Sequence, residues 1–199
     1  MMRTKKKGVI GLTVFVAFMA LFTFSFGAEF QGYKWGTDLL NMNSNLISEY
    51  LAQRLSHQGR MTEPVWTVGN PFRGPSAYAD LFYGKKPQIV YSDEVYGRMA
   101  FVIFVFSYTG GKRIQELGHP PDLRDYVLSR IDIYWQGDLY DYICQCVQKE
   151  FGKPFKSGSE RGIKFKGWEK GQKDLANVVA RYDGKDTSLS YYGPGYVEK

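Results

Sequence analysis

The sequence predicts an α+β fold: an antiparallel sheet of five or six strands packs one face against a helix, with an additional N-terminal helix at its edge or in the same layer. Three observations predict it. Residues 99–106, MAFVIFVF, are an unbroken apolar run rich in Val, Ile and Phe, and at that length a strand buried on both faces fits better than a helix. Residues 126–135 set Ile131, Ile133 and Trp135 against Arg130, Asp132 and Tyr134, the alternation of a strand with one buried side. Residues 138–151 align Leu139, Ile143, Val147 and Phe151 at helical spacing, with Asp138 as N-cap and Gly152 and Pro154 as stops.

From the N-terminus, residues 1–7 carry Arg3, Lys5, Lys6 and Lys7, and the next 19 residues, GVIGLTVFVAFMALFTFSF, hold no charge. Ser25 and Gly27 then occupy the −3 and −1 positions of a cut after Gly27. A basic flank, an apolar stretch and a small-residue site make a secretory signal peptide, whose lysines stay on the cytoplasmic side. The stretch also approaches the roughly 20 residues needed to span a bilayer, so an inner-membrane anchor formed by residues 8–26 is the alternative. Residues 1–27 are thus expected to export a single domain, residues 28–199, to the periplasm or beyond.

Within that domain, residues 30–38 (FQGYKWGTD) combine turn glycines with large aromatics, as a plug would, and Thr37 is placed to cap the segment after it. Leu46, Ile47, Tyr50, Leu51 and Leu55 predict a helix over residues 44–58, ended by Gly59. Residues 59–86, with Pro64, Pro71 and Pro75, read as a long packed loop. Strands are expected over residues 87–91, 99–106, 126–135, 163–168, 175–182 and 188–192, with a loop at 109–121 and turns at Gly171-Gln172 and Asp183-Gly184-Lys185.

The opening Phe30-x-Gly32-Tyr33-Lys34-Trp35-Gly36-Thr37, directly after the export segment, resembles that of a group of small uncharacterised periplasmic bacterial proteins with an F-x-G-x-x-W-G start. The later order of strand, helix, Phe151-Gly152-Lys153-Pro154 and a Gly/Trp strand from Gly162 to Trp168 is similar. The resemblance covers the opening and residues 94–192, and residues 59–86 and 109–125 depart from it. It implies export and a small α+β fold, and carries no activity across.

Charge restricts the partners. Four of the 26 basic residues lie in the first seven, so residues 28–199 hold 22 against 20 acids, a balance of +2, which disfavours a nucleic-acid binder. Residues 149–173 still carry eight Lys/Arg against three Glu, while residues 116–141 carry six acids against two Arg. The basic stretch is either a solvated strand region or a docking face for an anionic partner, whether an envelope protein, a glycan or a lipid surface.

Catalytic constellations are sparse. There is no G-x-S-x-G, no phosphate-binding glycine loop and no H-E-x-x-H. His57 and His119 stand in no motif that would tune them, and they read as surface residues. Cys144 and Cys146 fall on different sides of one helix turn, so neither a bridge between them nor a metal site is expected. No catalytic residue, metal ligand or cofactor is therefore assigned. Asp122, Asp125, Asp132, Asp138 and Asp141 could supply a carboxylate pair for hydrolysis, although Asp138 and Asp141 also suit a helix start and Asp132 alternates outward. Trp66, Phe72, Tyr78 and Tyr83 in the long loop, with Lys164 and Lys166 in the basic stretch, are the expected ligand-binding residues. The leading expectation is a non-enzymatic binding or accessory protein of the bacterial envelope. The alternatives are a carboxylate-pair hydrolase and a membrane-tethered structural domain.

Overall fold

The structure is a computed structural model that describes residues 30–56, 59–68, 85–117, 119, 121–170 and 176–194. Along the chain run α1 (Leu39–Ser56), β1 (Val65–Val68), β2 (Pro87–Val95), β3 (Arg98–Tyr108), short 3-10 turns at Ile114–Glu116 and Leu123–Asp125, β4 (Tyr126–Trp135), α2 (Tyr140–Phe151), β5 (Lys156–Glu160), β6 (Ile163–Lys170), β7 (Ala176–Tyr182) and β8 (Thr187–Tyr192). The strands form one antiparallel sheet in the order β1-β2-β3-β4-β8-β7-β6-β5. Two four-stranded meanders are thereby joined at β4–β8, and α2 carries the chain from the centre of the sheet to its far edge.

The α+β class and the helix-backed antiparallel sheet agree with expectation, but the eight strands among the described residues correct the expected five or six. The two additional strands lie at the two edges. β1 is four residues inside the stretch expected to be a loop, and β5, Lys-Ser-Gly-Ser-Glu, has no apolar residue and is exposed throughout. β5 buries nothing and so carries no hydrophobic pattern, whereas β1 buries Thr67 and Val68 but is too short to show a period.

Both helices cover the same face. Val102, Phe104, Ile131, Ile133, Trp135, Trp168, Val178, Ala180, Leu189 and Tyr191 point into one core together with Leu39, Met42 and Leu46 of α1 and Ile143, Cys144 and Val147 of α2. Leu139 and Phe151 complete the expected face of α2 as partly buried neighbours. The stripe expected on α1 is borne out in part: Leu46 is buried and Tyr50 packs against the core, but Ile47, Leu51 and Leu55 are exposed, and Leu39 and Met42 dock the helix beside Leu46. Its cap also differs. Asp38 Oδ1 accepts from the Asn41 N–H at 3.0 Å, which holds its carboxyl below the usual range, while Thr37 Oγ1 bonds the Lys34 carbonyl. Asp138 stands one place further from α2 than expected, with Leu139 at the N-cap position, yet its Oδ1 still accepts from the Tyr140 N–H at 3.3 Å.

Buried polar groups fasten the crossover to the sheet. Fully buried Thr187 Oγ1 accepts from the Leu139 N–H at 2.9 Å and donates to the Gly137 carbonyl at 3.0 Å. The β2–β3 hairpin turns through Tyr96 and Gly97, both at positive φ, a conformation that costs a tyrosine more than a glycine. Tyr96 is held there from three sides. Its hydroxyl donates to Glu150 at 2.8 Å and accepts from the Tyr191 hydroxyl at 3.1 Å, while Tyr142 donates to its carbonyl.

The opening segment is the plug its composition suggested. Phe30 is buried against the Tyr191 ring, and Tyr33 meets Phe104 edge-on while its hydroxyl donates to Glu49. Gly36 and Thr37 exchange backbone bonds with Leu128. Trp35 lies so close over Gly193 that a Cβ there would approach its ring to 2.9 Å. Residues 1–29, which carry the expected export or anchor segment, lie outside the described residues. Among the described residues, no helix is long and apolar enough to cross a membrane.

Candidate functional site: the open face of the sheet

Strand register decides what the second face carries, because paired residues of neighbouring strands share a side. One row across it reads Val65, Val90, Ile103, Asp132, Ser190, Val179, Gly167 and Lys156. The next reads Ser92, Phe101, Tyr134, Ser188, Arg181, Phe165 and Gly158. No described helix covers this side.

At its centre is a compact ionic cluster. Asp132 Oδ1 accepts from Ser190 Oγ at 2.8 Å, and Arg130 Nε lies 2.9 Å from Asp132 Oδ2. Asp132 was expected to alternate outward. It does face away from the helices, but it is only 4% exposed. Burial raises its carboxyl above the usual aspartate range, and this outweighs the opposing pull of Arg130, Ser190 and Arg181. Arg181 stays outside that ion pair. Its Nη1 donates to Ser190 Oγ at 3.4 Å and its Nη2 to the Tyr192 hydroxyl at 3.2 Å, both neutral partners. Among the described residues, no carboxylate lies within ion-pair distance of Arg181. The same row carries Phe165 on the strand next to this half-buried cation, and Tyr134 and Phe101 two and three strands to its other side. Phe101 and Met99 keep about half their surface in solvent, at 49% and 47%.

A second feature lies on the helix side, where an open depression of about 450 Å³ is lined by Gln53, Ser56, Gly59, Arg60, Asp93 and Glu94. Arg60 pairs with Glu94 at 2.6 Å. Burial raises the Asp93 carboxyl, with the neighbouring Glu49 and Glu94 charges adding to the shift. Glu49 in turn accepts the Tyr33 hydroxyl.

The residues expected to bind a ligand are not gathered into one site. Trp66 belongs to β1, not a loop, and pairs with Ile89 on the helix side. Lys164 and Lys166 also lie on the helix side, six strands away or roughly 29 Å at normal strand spacing, over the rings of Tyr182 and Tyr140. Phe72, Tyr78 and Tyr83 lie outside the described residues, as does His57. The five expected carboxylates are also dispersed. Asp122 caps a 3-10 turn through the Arg124 N–H, and Asp125 and Asp138 stand beyond opposite ends of β4, a strand about 30 Å long. Asp132 occupies the other face from Asp138 and Asp141, which lie at the start of α2. Both cysteines are free, with Cys144 buried and its thiol pushed up by desolvation. Among the described residues, no group of three His, Cys, Asp or Glu converges as metal ligands would.

Sequence reasoning missed Arg181 and Tyr192. Arg181 had a signal, since it alternates against Val178, Ala180 and Tyr182, but only the strand order puts β8 beside β4 and β7 beside β8. Fold and site together define a single-sheet α+β protein, with helices on one face and an aromatic surface around an arginine on the other. Compared with known proteins, the chain matches no family model, no curated protein and no solved structure.

Proposed function

We propose that the protein is an exported, non-enzymatic binding protein of the bacterial envelope, and that its open sheet face docks a partner protein through an acidic side chain. The observation that carries the reading is Arg181, a cation that among the described residues bonds only neutral hydroxyls and shares its row of the sheet with Phe165, Tyr134 and Phe101. Arginine, aromatic residues and methionine are the types enriched where proteins meet, and a broad sheet face suits a protein surface better than a small ligand, which needs concavity. A guanidinium already fixed by two hydrogen bonds loses little freedom when a carboxylate joins it. The basic, then apolar N-terminus and the resemblance to small periplasmic proteins support the compartment.

Site-specific photo-crosslinking in the cell tests this. A crosslinker at Tyr134 should trap one discrete envelope protein, and adding Arg181→Ala should reduce that adduct by about tenfold or more, as expected for a lost charge-assisted contact. The same crosslinker at Tyr142, on α2, should not trap it. Equal adducts from both positions, or an adduct indifferent to Arg181→Ala, would count against the reading.

One arrangement favours a second, hydrolytic reading. Asp93 lines the 450 Å³ depression with its carboxyl raised by burial, the Glu49 and Glu94 charges adding to the shift, and glycoside hydrolysis uses a pair of carboxyl groups held in different environments. If that reading holds, wild-type protein releases reducing sugar from envelope glycan, and Asp93→Asn lowers the rate at least about 100-fold. No release by the wild type removes it.

A further inference from the structure

We infer that two copies of this chain pair through β5, edge to edge and antiparallel, about a two-fold axis at Gly158. This rests on the backbone edge of β5 rather than on Arg181, and it does not depend on the proposed docking. β5 ends the sheet, all five of its residues are exposed, and among the described residues no strand pairs with its outer side.

The direction of its backbone groups is set by the β5–β6 turn. Arg161 and Gly162 both have positive φ, at 50° and 83°, and they join Glu160 to Ile163 in a two-residue hairpin. In such a hairpin the flanking pair is doubly hydrogen-bonded, and bonding alternates along the ladder. Glu160, Gly158 and Lys156 therefore bond inward to β6, whereas Ser157 and Ser159 direct their N–H and C=O groups out from the edge.

The sequence of the strand is matched to itself in reverse. In Lys156-Ser157-Gly158-Ser159-Glu160, an antiparallel second copy centred on Gly158 sets Lys156 opposite the other Glu160, and Ser157 opposite the other Ser159. Those serines are the residues with outward backbone groups, so this register satisfies the edge and both charge pairs at once. At the axis the two strands meet at a close, non-hydrogen-bonded pair, where Gly158 adds no side chain. Phe165 covers that glycine from the open face, and a Cβ on Gly158 would come within 2.9 Å of its ring. In the pair, two Phe165 rings flank the axis and the open faces of both copies become continuous.

A lysine on a short polar edge can also serve to repel other strands. What separates the two cases is the acid placed at the mirror position of Lys156, with glycine between them. The contact is small, so the dimer should dissociate on dilution.

The test is sedimentation equilibrium on protein recovered from cells expressing the full 199-residue sequence, from low micromolar concentration to the solubility limit. Wild type should show a monomer–dimer equilibrium. Ser159→Pro removes an outward N–H without touching the bonds to β6, so it should be monomeric throughout while keeping the wild-type circular dichroism spectrum. Lys156→Glu and Glu160→Lys should each weaken the dimer by about tenfold, and the double exchange should restore it. Amide exchange at Ser157 and Ser159 should slow as concentration rises. A monomeric wild type, a dimer that survives Ser159→Pro, or a double exchange no better than the single variants would overturn the inference.

Discussion

Trp168→Ala should lower folding stability by about 3–5 kcal/mol, read as a fall in the urea midpoint at unchanged slope. Trp168 is fully buried in β6, among the largest side chains of the core. It packs on the helix side beside Val178, its partner on β7. Its indole Nε1–H donates to the Gly152 carbonyl at 3.0 Å. Gly152 is the residue at which α2 ends, at a φ of 77° that glycine tolerates. The one side chain therefore fills the core under the second meander and fixes where the crossover helix stops. Trp168→Phe keeps most of the apolar volume and loses the hydrogen bond, so it should cost about 1–3 kcal/mol. If Trp168→Ala moved the midpoint by less than Trp168→Phe, the packing of α2 on β6 would not be what holds this half of the sheet.

Asp132→Ala should cost about 3 kcal/mol at neutral pH, because it leaves Arg130 beside a cavity without its carboxylate and deprives the Ser190 hydroxyl of its acceptor. Arg130 keeps a quarter of its side chain in solvent, which holds the loss at the lower end for a broken buried pair. Asp132→Asn should behave differently. Burial raises the Asp132 carboxyl above its unfolded value, near 3.9, so between the two values the folded state holds the proton and the unfolded state does not. The associated stability is complete below the unfolded value and is lost as pH rises through the folded one. Asparagine cannot ionise and escapes that loss. Relative to wild type, Asp132→Asn should therefore gain stability as pH rises from about 4 towards neutrality. Chemical denaturation at a series of pH values measures the difference, and a wild type that gained relative to Asp132→Asn over that range would show that Arg130 outweighs burial.

How much of this was legible depends on where each element gets its stability. Helix α2 was legible because its signals are local: Asp138 before it, an apolar face within it, Gly152 and Pro154 after it. β4 was legible because a half-buried strand must alternate. The same alternation put Asp132 on the correct face but could not show that Ser190 and Arg181, more than 45 positions along, would close over it. β5 was not legible because a strand that buries nothing leaves no pattern, and β1 was not because four residues are too few to show a period. The expected ligand set failed to gather for a similar reason: Trp66 and Lys164 were grouped by residue type, and only strand order shows that they stand near opposite edges of the sheet.

Helix α1 marks the boundary most clearly. Its sequence holds two apolar stripes, Leu39–Met42–Leu46 and Leu40–Ile47–Leu51–Leu55, and either could have faced the core. By itself the sequence determined that a helix would form there, that the domain would mix α and β, and that α2 would bury its apolar face. The tertiary structure alone decided which stripe of α1 is buried, which strands form the edges, and which polar residues meet on the open face. The physical reason is that periodicity and caps act over one or two turns of chain, whereas docking and strand order are fixed by contacts between segments far apart in sequence.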